Sequence, residues 1–117
     1  MFTVHDDSYY MRLAICEGEK GKITTPPNTW VGCIILKNGH ILSTGYSEKA
    51  EVIAIENSPV SVIDSTIYIT LTPLYPNLII ENKIKKVIIG IRDPDKINNL
   101  EILREAGIEV VMIQDID

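Results

Sequence analysis

The stretch Trp30-Val31-Gly32-Cys33-Ile34-Ile35-Leu36-Lys37-Asn38-Gly39-His40-Ile41-Leu42-Ser43-Thr44-Gly45-Tyr46 decides the fold. Trp30 to Lys37 is apolar and β-branched, which is the composition of a strand. Asn38-Gly39 supplies the two positive-φ residues of a tight hairpin turn. His40 to Tyr46 is then the return strand. Ser47 can cap a following helix, Glu48 to Asn57, which places Ala50, Ile53 and Ala54 on one face.

Upstream, Asp6 or Asp7 can cap a helix that runs to about Glu19. Met11, Ala14 and Ile15 share one face of it, and Gly18 and Gly21 help end it. Ile23 to Thr29 reads as a loop, because Pro26-Pro27 forbids helix and removes ladder donors. Downstream, Ser65 to Thr72 is a strand and Pro76 to Asn82 a short helix with Pro76 in its first turn. Lys85 to Ile91 is a strand whose centre, Val87-Ile88-Ile89, is apolar on both faces. Pro94 to Ala106 is a helix stopped by Gly107, and Ile108 to Ile113 is the last strand. The order is α-β-β-α-β-α-β-α-β. It predicts an α/β fold: one mixed five-stranded sheet with an N-terminal antiparallel hairpin and helices on both faces, a three-layer α-β-α sandwich. No repeat, low-complexity tract or linker interrupts residues 1–117, so a single domain is expected.

With 45% hydrophobic and 23% charged residues the composition is that of an ordinary globular domain. No stretch reaches the ~18 apolar residues of a membrane span. The start, Met-Phe-Thr-Val-His-Asp-Asp, lacks the basic region and long apolar core of a secretory signal, so a cytoplasmic location is the default expectation. Sixteen acidic and eleven basic residues give a net charge of −5. Lys83, Lys85 and Lys86 are the only notable basic grouping, so nucleic acid is not an expected partner. Cys16 and Cys33 lie on apolar stretches and are expected to be two buried thiols with no disulfide between them.

Several words along the chain resemble the cytidine-deaminase superfamily, and within it the pyrimidine deaminase of riboflavin biosynthesis. Tyr10-Met11-Arg12-Leu13-Ala14 resembles that enzyme's first helix. Thr25-Pro26-Pro27-Asn28-Thr29-Trp30-Val31-Gly32 resembles its Thr-x-Pro-Asn-Pro-x-Val-Gly loop. Lys37-Asn38-Gly39 and Gly45 resemble its hairpin, and Ala50-Glu51-Val52-Ile53-Ala54-Ile55 resembles the core of its His-Ala-Glu helix. Tyr68-Ile69-Thr70-Leu71-Thr72-Pro73 resembles the strand before its cysteine motif. Ile88-Ile89-Gly90-Ile91-Arg92-Asp93-Pro94 resembles the strand and turn after it. The order and spacing of these words carry the resemblance over nearly the whole chain.

The resemblance implies a chemistry. In that family a His or Cys and two further Cys hold Zn²⁺, whose bound water becomes a hydroxide near neutral pH. A glutamate two residues after the first ligand moves the proton. Here the first ligand position is Lys49, whose lone pair is normally occupied by a proton. Glu51, at the acid/base position, is retained. Pro-Cys-x-x-Cys is replaced by Pro73-Leu74-Tyr75-Pro76-Asn77, with Leu74 at the first cysteine and Asn77 near the second. His5 and His40 are poorly placed to substitute. The Gly-rich stretch before His-Ala-Glu is also missing, since Gly45-Tyr46-Ser47-Glu48-Lys49 passes straight into the helix. The expected site is therefore a remnant without zinc or any other metal. Glu51 is its acid/base remnant or a packing carboxylate, and Asn28, Lys49 and Tyr75 are candidate ligand-binding residues. Asn28 can equally just hold its turn, Lys49 can be a solvated first-turn residue, and Tyr75 can plug the vacated space.

Two functional expectations follow. The first is a deaminase-fold protein that does not perform zinc-dependent deamination and acts as a binding or assembly module. It would form a homo-oligomer or partner an active deaminase or reductase, and a small pyrimidine or nucleotide is its candidate ligand. The second is an active pyrimidine or nucleotide deaminase, a hydrolase with an unconventional site that uses Glu51 as acid/base.

Overall fold

The computed structural model describes residues 5–21 and 31–113. α1 (Asp7–Gly18) begins where Asp6 accepts a hydrogen bond from the Tyr9 N–H, and a 3₁₀ turn (Glu19–Gly21) follows it. β1 (Gly32–Lys37) and β2 (His40–Tyr46) form the hairpin. Their turn residues Asn38 and Gly39 have φ of 53° and 80°, as the two-residue loop requires. Then come α2 (Ala50–Asn57), β3 (Thr66–Leu71), α3 (Pro76–Glu81) and β4 (Lys86–Ile91). A 3₁₀ turn (Pro94–Lys96) leads into α4 (Ile97–Glu105), and β5 (Glu109–Met112) closes the order. The loop expected over 23–29, with Asn28, lies outside the described residues, as does Trp30.

The five strands form one sheet in the order β2-β1-β3-β4-β5. β1 is antiparallel to both β2 and β3, whereas β3, β4 and β5 run parallel. One face packs on α1 through Tyr10, Met11, Ala14, Ile34, Tyr68 and Ile88. The other packs on α2, α3 and α4, where Ala50, Ala54, Ile79, Leu100 and Leu103 meet Cys33, Ile35, Ile67, Ile69, Val87 and Ile89. The three-layer mixed sheet is thus the architecture the pattern predicts. Each fully buried Ile or Leu contributes roughly 1.5–3 kcal/mol of transfer free energy, so the central strands dominate the hydrophobic term.

Several local readings are corrected. Ile15 does not share the buried face of α1; it is exposed, and Tyr10 and Gly18 take its place beside Met11 and Ala14. Cys16 lies exposed on that same outer side, so only Cys33 is a buried thiol. α2 starts at Ala50 rather than Glu48, because Ser47 has φ 94° and residues 47–49 form a turn closed by Ala50 N–H to Ser47 C=O. The helix expected from Pro94 is split, since Asp93 caps a 3₁₀ turn before the α-helix proper. Gly32 and Gly45 have a role in packing that the hairpin reading did not contain. A Cβ on Gly32 would strike the carbonyl oxygen of Ala14 on α1, and one on Gly45 would strike that of Ala50 on α2. These two glycines set how closely the helices approach the sheet.

Candidate functional site

Strand direction decides which residues can meet. β3 and β4 are parallel with Leu71 opposite Ile91, so both C-terminal ends fall at one edge of the sheet. β1 runs the other way, so its start returns to the same edge, where the Gly32 N–H donates to Thr70 Oγ1 at 3.1 Å. β2 ends beside it with Tyr46 opposite Gly32, and α2 begins just beyond. The crevice outside the carboxyl ends of parallel strands is where open α/β sheets hold their ligands.

Glu51, in the first turn of α2, is 1% exposed. Its Oε2 accepts two hydrogen bonds from the loop after β3: the Leu74 N–H at 2.6 Å and the Tyr75 N–H at 2.8 Å. Burial raises the Glu51 pKa above the ordinary carboxylate value, and the backbone donors oppose that shift. The loop is fixed from the other side as well. Thr72 Oγ1 accepts from the Asp93 N–H at 2.8 Å, and Asn99 Nδ2 donates to the Pro73 carbonyl at 2.9 Å. The donors that meet Glu51 are therefore held by α4 and by the turn after β4.

Glu51 lines a cavity of about 350 Å³. Val31, Leu71 and Leu74 supply its apolar wall, and Glu48, Thr72, Asp93 and Lys96 its polar groups. Asp93 Oδ2 accepts from Lys96 Nζ at 2.9 Å, and Oδ1 accepts from the Asp95 N–H. The hydrogen bond from Lys96 is the first cause that holds the Asp93 carboxyl below its ordinary value. The volume is at the small end of ligand pockets.

The predicted site residues separate. Glu51 is at the centre. Lys49 is exposed at the N-cap position of α2, and its side chain makes no capping bond. It lines a neighbouring depression between α2 and α3, together with Val52, Tyr75 and Asn77. Tyr75 contributes its backbone N–H to Glu51, and the residue, 37% exposed, lines that depression beside Lys49, Leu74 and Asn77. Asn28 lies outside the described residues. The sequence reading missed Thr72, Asp93, Lys96 and Asn99. The available signal was the Asp93-Pro94 turn directly after a strand buried on both faces, since such turns open onto the ligand edge.

The side chains at this cavity do not fit a zinc ion. Structural and catalytic zinc sites need three or four Cys, His or carboxylate donors in tetrahedral array. Among the described residues no three His, Cys, Asp or Glu come together in that way. Lys49 and Leu74 offer no zinc donor, and Cys33 is buried in β1, where burial, then Glu51 and Glu17, raise its thiol well above the ordinary range.

A deaminase-type sheet with a glutamate buried beside its ligand edge defines the class. The sequence matches the family described as the cytidine and deoxycytidylate deaminase zinc-binding region over residues 4–91, and the chain belongs to that family. Within it the similarity lies with riboflavin biosynthesis. The chain is 36% identical to the riboflavin biosynthesis protein RibD of Chlamydia pneumoniae, over 87% of this chain and 31% of that protein. The solved structure of Acinetobacter baumannii RibD, form 2, superposes with a TM-score of 0.82 at 30% identity, over 91% of this chain and 34% of that one. The dCMP deaminase of cyanophage S-TIM5, in complex with dCMP and dUMP, shares the fold with a TM-score of 0.77 at 19% identity, over 97% and 100%. This chain spans about a third of the length of the curated relatives it matches. Among the described residues no helix is long and apolar enough to cross a membrane.

Proposed function

We propose that this domain is a deaminase-fold binding or assembly module that does not carry out zinc-dependent deamination. The observation that supports this reading is the cavity beside Glu51. Its described lining offers carboxylates, a hydroxyl and an ammonium but neither Cys nor His. Without a metal the hydroxide that attacks the ring carbon is not available near neutral pH, and several kcal/mol of Lewis-acid stabilisation are lost. A small pyrimidine or nucleotide is the proposed ligand, with its donors turned toward Glu51. A homo-oligomer, or association with an active deaminase or reductase, is the proposed assembly. Metal analysis and light scattering on the purified chain test the proposal. Zinc well below one equivalent and a multimeric mass are expected. About one zinc per chain overturns it.

The alternative is an active pyrimidine or nucleotide deaminase with Glu51 as acid/base. The observation in its favour is the position of Glu51, a buried carboxyl in the first turn of α2 that lines the cavity and whose pKa burial raises. Deamination of a pyrimidine nucleotide that is abolished by Glu51→Gln would establish it.

A further inference from the structure

The two atoms that Asn99 and Glu51 hold belong to one peptide unit. Asn99 Nδ2 donates to the Pro73 carbonyl oxygen at 2.9 Å, and the N–H of the same Pro73–Leu74 peptide donates to Glu51 Oε2 at 2.6 Å. A trans peptide is planar, with C=O and N–H directed to opposite sides, and there are no cis peptide bonds among the described residues. Asn99, the peptide plane and the Glu51 carboxylate therefore form a line of donors and acceptors that runs from α4 to α2. We infer that Asn99 is a positioning residue for Glu51, which it holds through the Pro73–Leu74 peptide.

Two physical effects act along this line. Fixing the carbonyl oxygen removes the freedom of the plane to rotate, so the Leu74 N–H stays aimed at Oε2. Drawing electron density toward the carbonyl oxygen also makes the N–H a better donor, by an order of 10–30% for bonds in series. Proline accentuates both. Pro73 has no N–H of its own and a restricted φ, so its carbonyl is the handle by which α4 can grip this point of the loop. Tyr75 is the internal control. Its N–H also reaches Oε2, at 2.8 Å, but it belongs to a peptide whose carbonyl is that of Leu74, which Asn99 does not touch.

The inference deepens the proposed reading of Glu51 as the group a ligand meets. Its test reads the carboxylate and the amides without any ligand, so its failure is separate from a failure of that reading. Asn99 is only half-buried, which makes substitution tolerable. Asn99→Ala removes the side chain, whereas Asn99→Leu keeps its approximate shape, adds no charge and removes the donor. NMR of the full chain follows the Leu74 and Tyr75 amide protons and the Glu51 carboxyl carbon as pH is varied. The other charged groups around Glu51 are Glu48, Asp93 and Lys96 at the cavity, Lys49 just before it on the chain and Cys33 on β1, and all are present in both variants. In both variants the Leu74 amide proton is expected to move upfield by more than that of Tyr75. The Glu51 titration midpoint is expected to rise, as a weakened donor to the carboxylate predicts. An unchanged Leu74 amide overturns the inference. So does an Asn99→Leu protein that behaves as the parent while Asn99→Ala does not, because packing would then be the cause.

Discussion

Glu51 and Leu74, 23 residues apart, are joined by a 2.6 Å hydrogen bond from the Leu74 backbone N–H to the Glu51 carboxylate. With the Tyr75 N–H it ties α2 to the loop between β3 and α3 at the ligand edge of the sheet. A buried carboxylate is tolerated here because backbone dipoles take over part of the role of solvent.

Removing that carboxylate should cost stability. Glu51→Ala leaves two part-buried N–H groups without their acceptor, with an expected loss of about 1–3 kcal/mol. Glu51→Gln keeps an acceptor oxygen and should lose less. Urea unfolding of the three proteins checks the order, and an Ala variant as stable as the parent contradicts it.

The pH dependence of stability has a definite sign. Burial raises the Glu51 pKa above the ordinary carboxylate value, so the folded chain binds this proton more tightly than the unfolded chain. Its contribution is full below the unfolded value and is lost as pH rises through the folded value. As pH rises from the ordinary carboxyl value of about 4, the parent should lose stability relative to Glu51→Gln until the folded carboxyl has ionised. Parallel stability curves for the two proteins contradict the assignment.

Gly45→Ala places a methyl group against the Ala50 carbonyl oxygen, a backbone atom that cannot swing aside. α2 must then move off β2, and a loss of about 1–3 kcal/mol is expected, as for overpacked cores. Because α2 carries Glu51, the Leu74 and Tyr75 amide resonances should shift as well. Gly32→Ala should destabilise similarly through α1, which it would strike at Ala14 and Gly18.

The two thiols should react differently. Cys16 is exposed, whereas Cys33 is buried with its pKa pushed well above the ordinary thiol range, first by burial and then by Glu51 and Glu17. Alkylation of the native protein near pH 8 is expected to modify Cys16 alone, with Cys33 reacting only after unfolding. Equal labelling of both in the folded state would show that β1 opens readily.

The elements were legible in the sequence because their signals are local. Asn38-Gly39 has the residue types that a positive-φ pair demands, Val87-Ile88-Ile89 shows burial on both faces, and Gly107, with φ 87°, stands just after α4. Local signals fail where two elements compete for one side chain. Ile15 looked buried by periodicity, but the close approach of α1 at Gly32 brings Tyr10, Ala14 and Gly18 to the sheet and turns Ile15 outward.

By itself the sequence determined the element order, the mixed sheet and the presence of Glu51 near the start of a helix. Only the tertiary structure decided what Glu51 touches. Its partners are the backbone N–H groups of Leu74 and Tyr75, and Asn99 holds the peptide between Pro73 and Leu74 from the far side. Every residue except proline carries such an N–H, so side-chain identity cannot mark which ones will serve. Their role is set by where the ends of parallel strands and the helices bring the chain together.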